Sequence, residues 1–279
     1  MRALQMKRIL LWAMAIGLVW AVVTSVSSAA DSLTMATTTS TDNTGLLDEL
    51  MPEFTKDTGI DIKWTATGTG KALKLGENCD VDVLMVHAPP AEKKFVDAGF
   101  GVNRREIMYN DFVLIGPPGD PAGISGKTVA EAMMQFEKKK AVFVSRGDNS
   151  GTNKKEIGLW KAAGLEVPDR AEWYVQTGQG MLSTIRIAAE RDGYTLTDRG
   201  TYIKYSADHK GNPPLKVLVE GDAVLLNQYS VIVVNPDRCK NVKADLAEKF
   251  VEWITGDRAQ QQIAEFRLLG QELFHPNAK

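Results

Sequence analysis

Apolar and polar positions alternate along the chain in a way that predicts repeated strand, turn and helix units. Leu33-Thr34-Met35-Ala36 reads as a short strand, and Leu46, Leu47, Leu50 and Phe54 recur at helical spacing after it. Ile60-Asp61-Ile62-Lys63-Trp64 alternates as a second strand, followed by a helix through Ala72, Leu73 and Leu75. Asp80 to His87 forms a third strand with an apolar second half, Ala91 to Ala98 a helix, and Asp111 to Gly116 a strand. Pro117-Pro118-Gly119-Asp120-Pro121 then breaks the pattern, as a connection between two bodies would.

From about 117 to 222 the pattern predicts a second α/β unit. It holds a helix at Thr128–Lys139, a strand at Ala141–Val144 and a helix beginning near Asn153. A strand at Trp173–Val175 follows, then a helix through Leu182, Ile185 and Ala188. Leu215–Val219 and Val231–Val234 are further apolar runs, with a return crossing around 220–230. A last helix is expected from Ala244 to Phe266, carrying Leu246, Phe250, Val251 and Ile254 on one face.

The N-terminus stands apart from this pattern. Arg2, Lys7 and Arg8 precede an apolar run from Ile9 to about Val23, and small residues follow up to Ala30. A basic start, a short apolar run and a small-residue end describe a secretory signal peptide over 1–30. Its removal lowers Lys plus Arg from 33 to 30 against 35 Asp plus Glu, a formal charge of −5. A mildly acidic chain has no electrostatic footprint for nucleic acid. Cys79 and Cys239 would meet an oxidising compartment, where they could form a disulfide or remain buried thiols.

Chemistry concentrates where strands meet helices. Thr37-Thr38-Thr39-Ser40-Thr41 is a run of five hydroxyl residues where a helix cap needs one. Gly68-Thr69-Gly70-Lys71 opens another helix, but Thr65 and Ala72 stand where a phosphate loop needs Gly and Ser or Thr. Ser145-Arg146-Gly147-Asp148-Asn149-Ser150-Gly151-Thr152 joins the Ala141–Val144 strand to its helix. Free N–H groups and the positive dipole end at such helix starts favour an anion. Arg146 adds a fixed cationic fork and the full positive charge expected at that anion.

Open α/β sheets bind ligands at the carboxyl ends of their strands, so the three corners point to an anion cleft. The residues that catalysis would need are not evident. His87, His209 and His275 are scattered, and the sequence offers no Ser–His–Asp set and no metal spacing. His87 at a strand end reads first as a structural histidine, with a ligand role as the alternative.

Together these runs resemble the tungstate-binding proteins of ABC importers, in the type II periplasmic solute-binding family. Asp82-Val83-Leu84, His87-Ala88, Met108-Tyr109-Asn110-Asp111-Phe112-Val113 and Tyr194 to Tyr202 also agree. The resemblance covers the whole chain after residue 30. It implies an α/β fold of two lobes, with the ligand cleft between them and two crossing hinge strands. Lobe I would comprise 31–115 and 225–279, and lobe II 116–224.

It further implies a periplasmic monomer that captures tungstate, bound as the oxyanion with no direct metal ligand and no cofactor. The anion would pass to a membrane permease coupled to a cytoplasmic ATPase. By motif match, Thr38, Thr39, Ser40 and Thr69 would donate from lobe I, and Arg146, Ser150, Gly151 and Thr152 from lobe II. Asp148 would orient Arg146 through a charge-assisted hydrogen bond. The alternatives are a molybdate or phosphate receptor of the same fold, and a secreted enzyme acting on phosphate or sulfate esters.

Overall fold

The computed structural model describes residues 31–279, so the expected signal peptide lies outside the described residues. β1 (Ser32–Thr38), β2 (Asp61–Thr67) and β3 (Val83–Val86) pair in parallel, with β1 between the other two. Short helix α1 (Thr39–Asp42) and α2 (Leu46–Thr58) follow β1, α3 (Thr69–Glu77) follows β2, and α4 (Pro89–Asp97) follows β3. This parallel arrangement brings the C-terminal ends of β1, β2 and β3 to one edge, where Thr38 pairs with Thr67.

Next comes β4 (Gly101–Gly116), which is far longer than the six-residue strand that Asp111–Gly116 predicts. Charged residues between Asn103 and Glu106 interrupt its apolar pattern, and the register shifts around them. Its first part pairs antiparallel with the return strand β9 (Leu226–Val234). Its last residues pair instead with β7 (Thr195–Asp198) and β8 (Lys216–Val219). A strand that changes partners midway links two bodies, and β9 carries the chain back.

The cores follow from strand periodicity, since successive side chains point to opposite faces. Val231 and Val233 join one core with Leu46, Phe54 and Phe250. Ile232 and Val234 join another with Leu73, Leu84 and Phe95. Beyond the crossing, Phe112 and Leu114 enter a core with Phe136, Phe143 and Trp160, whereas Val113 and Ile115 enter one with Ile185 and Tyr205. Both faces of these central strands are therefore covered by helices, as their near-continuous apolar runs require.

The second body also contains α5 (Val129–Lys139), β5 (Phe143–Ser145), α6 (Gly151–Ala162), β6 (Tyr174–Gln176), α7 (Met181–Glu190) and α8 (Arg199–Asp208). α8 shares its burial between cores: Tyr205 packs with Ile185, while Ile203 packs with Leu46 and Phe274. The single helix expected from Ala244 to Phe266 is two, α9 (Ala244–Thr255) and α10 (Asp257–Glu265). Gly256 between them is extended, with ψ of 156°, and caps one helix while starting the next. Short β10 (Arg267–Leu268) and β11 (Gln271–Glu272) pair with each other, and β12 (His275–Pro276) adds to β4. Among the described residues no helix is long and apolar enough to cross a membrane.

Cys79 and Cys239 are joined as a disulfide, which decides between the two readings of that pair. It ties the end of α3 to the segment after β9.

Candidate functional site

Three of the strand ends carry the first half of the site. Thr38 caps α1: its Oγ1 accepts the Thr41 N–H at 3.2 Å and lies 2.7 Å from Thr41 Oγ1. Ser40 Oγ is 3.1 Å from Thr38 Oγ1. Thr39 begins the same helix and is exposed, whereas Thr38 is buried.

Thr69 is the first residue of α3, behind Gly68, which has no side chain to cap the helix. Its hydroxyl is buried and has no hydrogen-bond partner among the described residues. An unpaired buried hydroxyl is costly and points to a missing partner.

The opposing half is the Ser145–Thr152 turn and the start of α6. Ser150 caps α6, accepting the Asn153 N–H at 3.3 Å, which leaves its own hydroxyl proton free to donate. A Cβ added to Gly151 would lie 3.5 Å from Thr69 Oγ1 and 3.4 Å from His87 Cε1. The start of α6 thus faces the ends of β2 and β3 directly. Thr152 is buried one residue further along. The structure therefore brings Thr38, Ser40, Thr69 and Gly151 around one point, with Ser150 and Thr152 on either side of Gly151.

Arg146 and Asp148 form a hydrogen-bonded ion pair, both largely shielded from solvent. Arg146 Nε also donates to the carbonyl of Gln179 at 3.2 Å. Asp148 Oδ1 accepts the Ser150 N–H at 3.1 Å. Burial alone would push the Asp148 carboxyl up, but hydrogen bonds from Ser150 and the Arg146 charge outweigh it and hold it low. Gln179 leads into α7, whose uncapped start at Gly180 and Met181 lines a cleft of about 350 Å³ with Ser40 opposite. This is a further helix start at the cleft, beyond the three corners that the sequence singles out.

Several residues beside these donors were not placed at the site by the sequence. His87 is buried at the centre of the first half, its Nε2 3.0 Å from both Thr38 Oγ1 and Ser40 Oγ. Its Nδ1 is 3.0 Å from Asn227 Oδ1, and Asn227 Nδ2 donates to Asn110 Oδ1 at 2.7 Å. Burial pushes the imidazole below its ordinary value, with Asn227 and Asp198 opposing the shift. Asn110 and Asn227 meet only because β4 and β9 pair there, so the sequence carries no local signal for this contact. Lys154 adds a second cation near the anion corner: a Cβ on Gly70 would lie 3.5 Å from its Nζ.

Glu156 is the other omission. It is buried beneath the turn and accepts hydrogen bonds from Ser145 Oγ, from Tyr174 OH at 2.7 Å and from Trp160 Nε1 at 2.8 Å. Burial raises its carboxyl above the ordinary range, against these hydrogen bonds. Ser145 Oγ in turn accepts the Gly147 N–H at 3.2 Å. The Arg146 turn is thereby braced from below.

Two bodies joined by crossing strands, with donors facing each other across the gap, define a two-lobed α/β binding protein. Residues 23–258 match the model of the PBP superfamily domain. The chain is 52% identical to the tungstate-binding protein TupA of Campylobacter jejuni over 240 residues, 86% of this chain and 89% of that protein. The solved tungstate-binding protein TupA from Desulfovibrio alaskensis G20 is 65% identical with a TM-score of 0.84, covering 90% of this chain and 100% of its own. A structure of the tungstate ABC transporter from Geobacter sulfurreducens is 48% identical with a TM-score of 0.74, covering 84% and 98%. The chain belongs to this family of tungstate-binding proteins within the PBP superfamily.

Proposed function

We propose that the chain captures tungstate in the cleft between its lobes and releases it to an ABC permease driven by a cytoplasmic ATPase. Lobe I is 31–115 with 225–279 and lobe II is 116–224, and the capture takes place in the periplasm after residues 1–30 are removed. The names of its relatives support this reading. The observation that carries it is Thr69, a buried hydroxyl without a partner, set opposite the start of α6. A tetrahedral anion oxygen between them would satisfy the hydroxyl and the N–H groups of α6 together.

The binding set is Thr38, Ser40 and Thr69 from lobe I and Arg146, Ser150, Gly151 and Thr152 from lobe II. Thr39, exposed at the start of α1, donates beside Thr38 and Ser40, and Asp148 acts through Arg146. Neutral dipoles with few full charges suit reversible capture, and hinge closure completes the shell from both sides. Both oxygens of Asp148 are already engaged, by Arg146 and by the Ser150 N–H. Asp148 is thus committed to Arg146 and to the turn, the orienting role that a ligand without a proton to give requires.

Titration calorimetry of the chain lacking 1–30 tests this with tungstate, molybdate, sulfate and phosphate. Tight tungstate binding with far weaker phosphate binding is expected. Tighter phosphate binding, or turnover of a phosphate or sulfate ester, would overturn the assignment.

A further inference from the structure

The hydrogen bonds around His87 cannot all be made at once with a single proton on the ring when an anion is present. Asn227 turns its Nδ2 towards Asn110, so its Oδ1 faces the ring and His87 Nδ1 carries the proton that joins them. In the neutral ring Nε2 is then an acceptor. It faces two hydroxyls, Thr38 and Ser40, each with one proton to give. A proton given to Nε2 is lost to an anion oxygen. If both protons turn to the anion, Nε2 becomes a buried acceptor facing two oxygens, which is costly.

We propose that His87 is a positioning residue of the anion site, taking one proton from solvent as tungstate binds and thereby turning the Thr38 and Ser40 hydroxyls to the anion. This rests on the tungstate-capture reading. With both nitrogens protonated, Nδ1 still donates to Asn227 and Nε2 donates to the Thr38 or Ser40 oxygen. Both hydroxyl protons then point at tungstate, and the imidazolium charge offsets part of the buried dianion.

The surroundings hold the free protein in the neutral state. Burial does this, and Lys94 on α4 and Lys154 and Lys155 on α6 line the same groove of about 710 Å³ as His87. The positive start of α6 meets the ring at Gly151. On α4, Glu92 is committed to Arg104 and to the Ala88 N–H. From β9, Tyr229 lies against the ring, tilted by 30° with centroids 4.7 Å apart, and remains an uncharged phenol. Asp198, at the end of β7, is the carboxylate that favours the charge. The arriving dianion tips this balance, because it places negative charge next to Nε2.

Binding therefore raises the proton affinity of His87. Tungstate affinity should be greatest below the free-state value of the ring and fall with rising pH through the bound-state value, by at most about tenfold per pH unit. The test is calorimetry of tungstate binding between about pH 7 and 9, where the ligand stays a dianion, in buffers of different ionisation enthalpy. Uptake of up to about one proton per tungstate is expected in the native protein, and its disappearance in His87→Gln. Nitrogen NMR of labelled histidine should show His87 pass from one protonated nitrogen to two on adding tungstate, a readout independent of any variant. Tight binding without proton uptake, or uptake that persists in His87→Gln, would overturn the inference and leave the capture reading standing. Absence of tungstate binding by the native protein would instead remove both.

Discussion

Arg146 and Asp148, two residues apart, lock each other on the turn before α6, and each is anchored a second time. Arg146 Nε reaches the Gln179 carbonyl, and Asp148 accepts the Ser150 N–H. The guanidinium is therefore preorganised before any anion arrives, which lowers the entropic cost of using it. Arg146→Ala should weaken tungstate binding by roughly 2–5 kcal/mol, as for a buried hydrogen-bonded charge pair. Arg146→Lys should weaken it as well, because a single ammonium cannot hold Gln179, Asp148 and an anion in one plane. Calorimetry of both variants checks this, and unchanged affinity would place the anion elsewhere.

Thr69 separates binding from stability. Its buried hydroxyl has no partner among the described residues, so it does nothing for the empty protein. Thr69→Val should leave the urea midpoint unchanged or raise it, since an unsatisfied donor is removed without a cavity. Tungstate affinity should fall by about 1.5–3 kcal/mol, the range for a hydrogen bond to a charged group. A lower midpoint together with unchanged affinity would show that the hydroxyl serves the fold.

The difference between what the sequence revealed and what it concealed has a physical basis. Thr38, Thr69 and Ser150 were legible as residues at helix starts, because short runs of Gly and hydroxyl residues after a strand mark such starts. The surroundings of His87 were not, because they include Asn110 and Asn227, which stand 117 residues apart and meet only when β4 and β9 pair. Glu156 carries no local signal, because Tyr174 and Trp160 close over it only in the fold. The break at Gly256 was hidden because the apolar spacing continues across it, and a lone Gly costs a helix only about 1 kcal/mol.

Glu156 gives a prediction about the turn from beneath. Glu156→Ala would leave Tyr174 OH, Trp160 Nε1 and Ser145 Oγ without their shared acceptor in a buried site. At about 1–3 kcal/mol for each orphaned group, a loss of roughly 3 kcal/mol or more is expected in urea unfolding. The pH dependence has a definite sign. Because burial raises this carboxyl in the folded state, its ionisation costs stability that is fully present below the unfolded value and declines as pH rises through the folded one. Replacement by Gln, which cannot ionise, should flatten that part of the stability curve. A curve identical to the native one would show that Glu156 does not titrate in this way.

The disulfide should act on stability without acting on the site. Cys79 and Cys239 close a loop with a sequence separation of 160, at the end of α3 far from Thr69. The chain-entropy model gives about 5 kcal/mol for a loop of that length. Cys79→Ser with Cys239→Ser should therefore lower the urea midpoint substantially, while calorimetry on the folded fraction finds tungstate affinity close to native. Excess tungstate should then restore stability, since a ligand at a thousandfold its Kd adds about 4 kcal/mol to any fold that binds it. Recovery of the midpoint with rising tungstate would show that the unbridged chain still closes on its ligand. A midpoint that tungstate cannot move would show that the bridge holds α3, and with it Thr69, in the binding position.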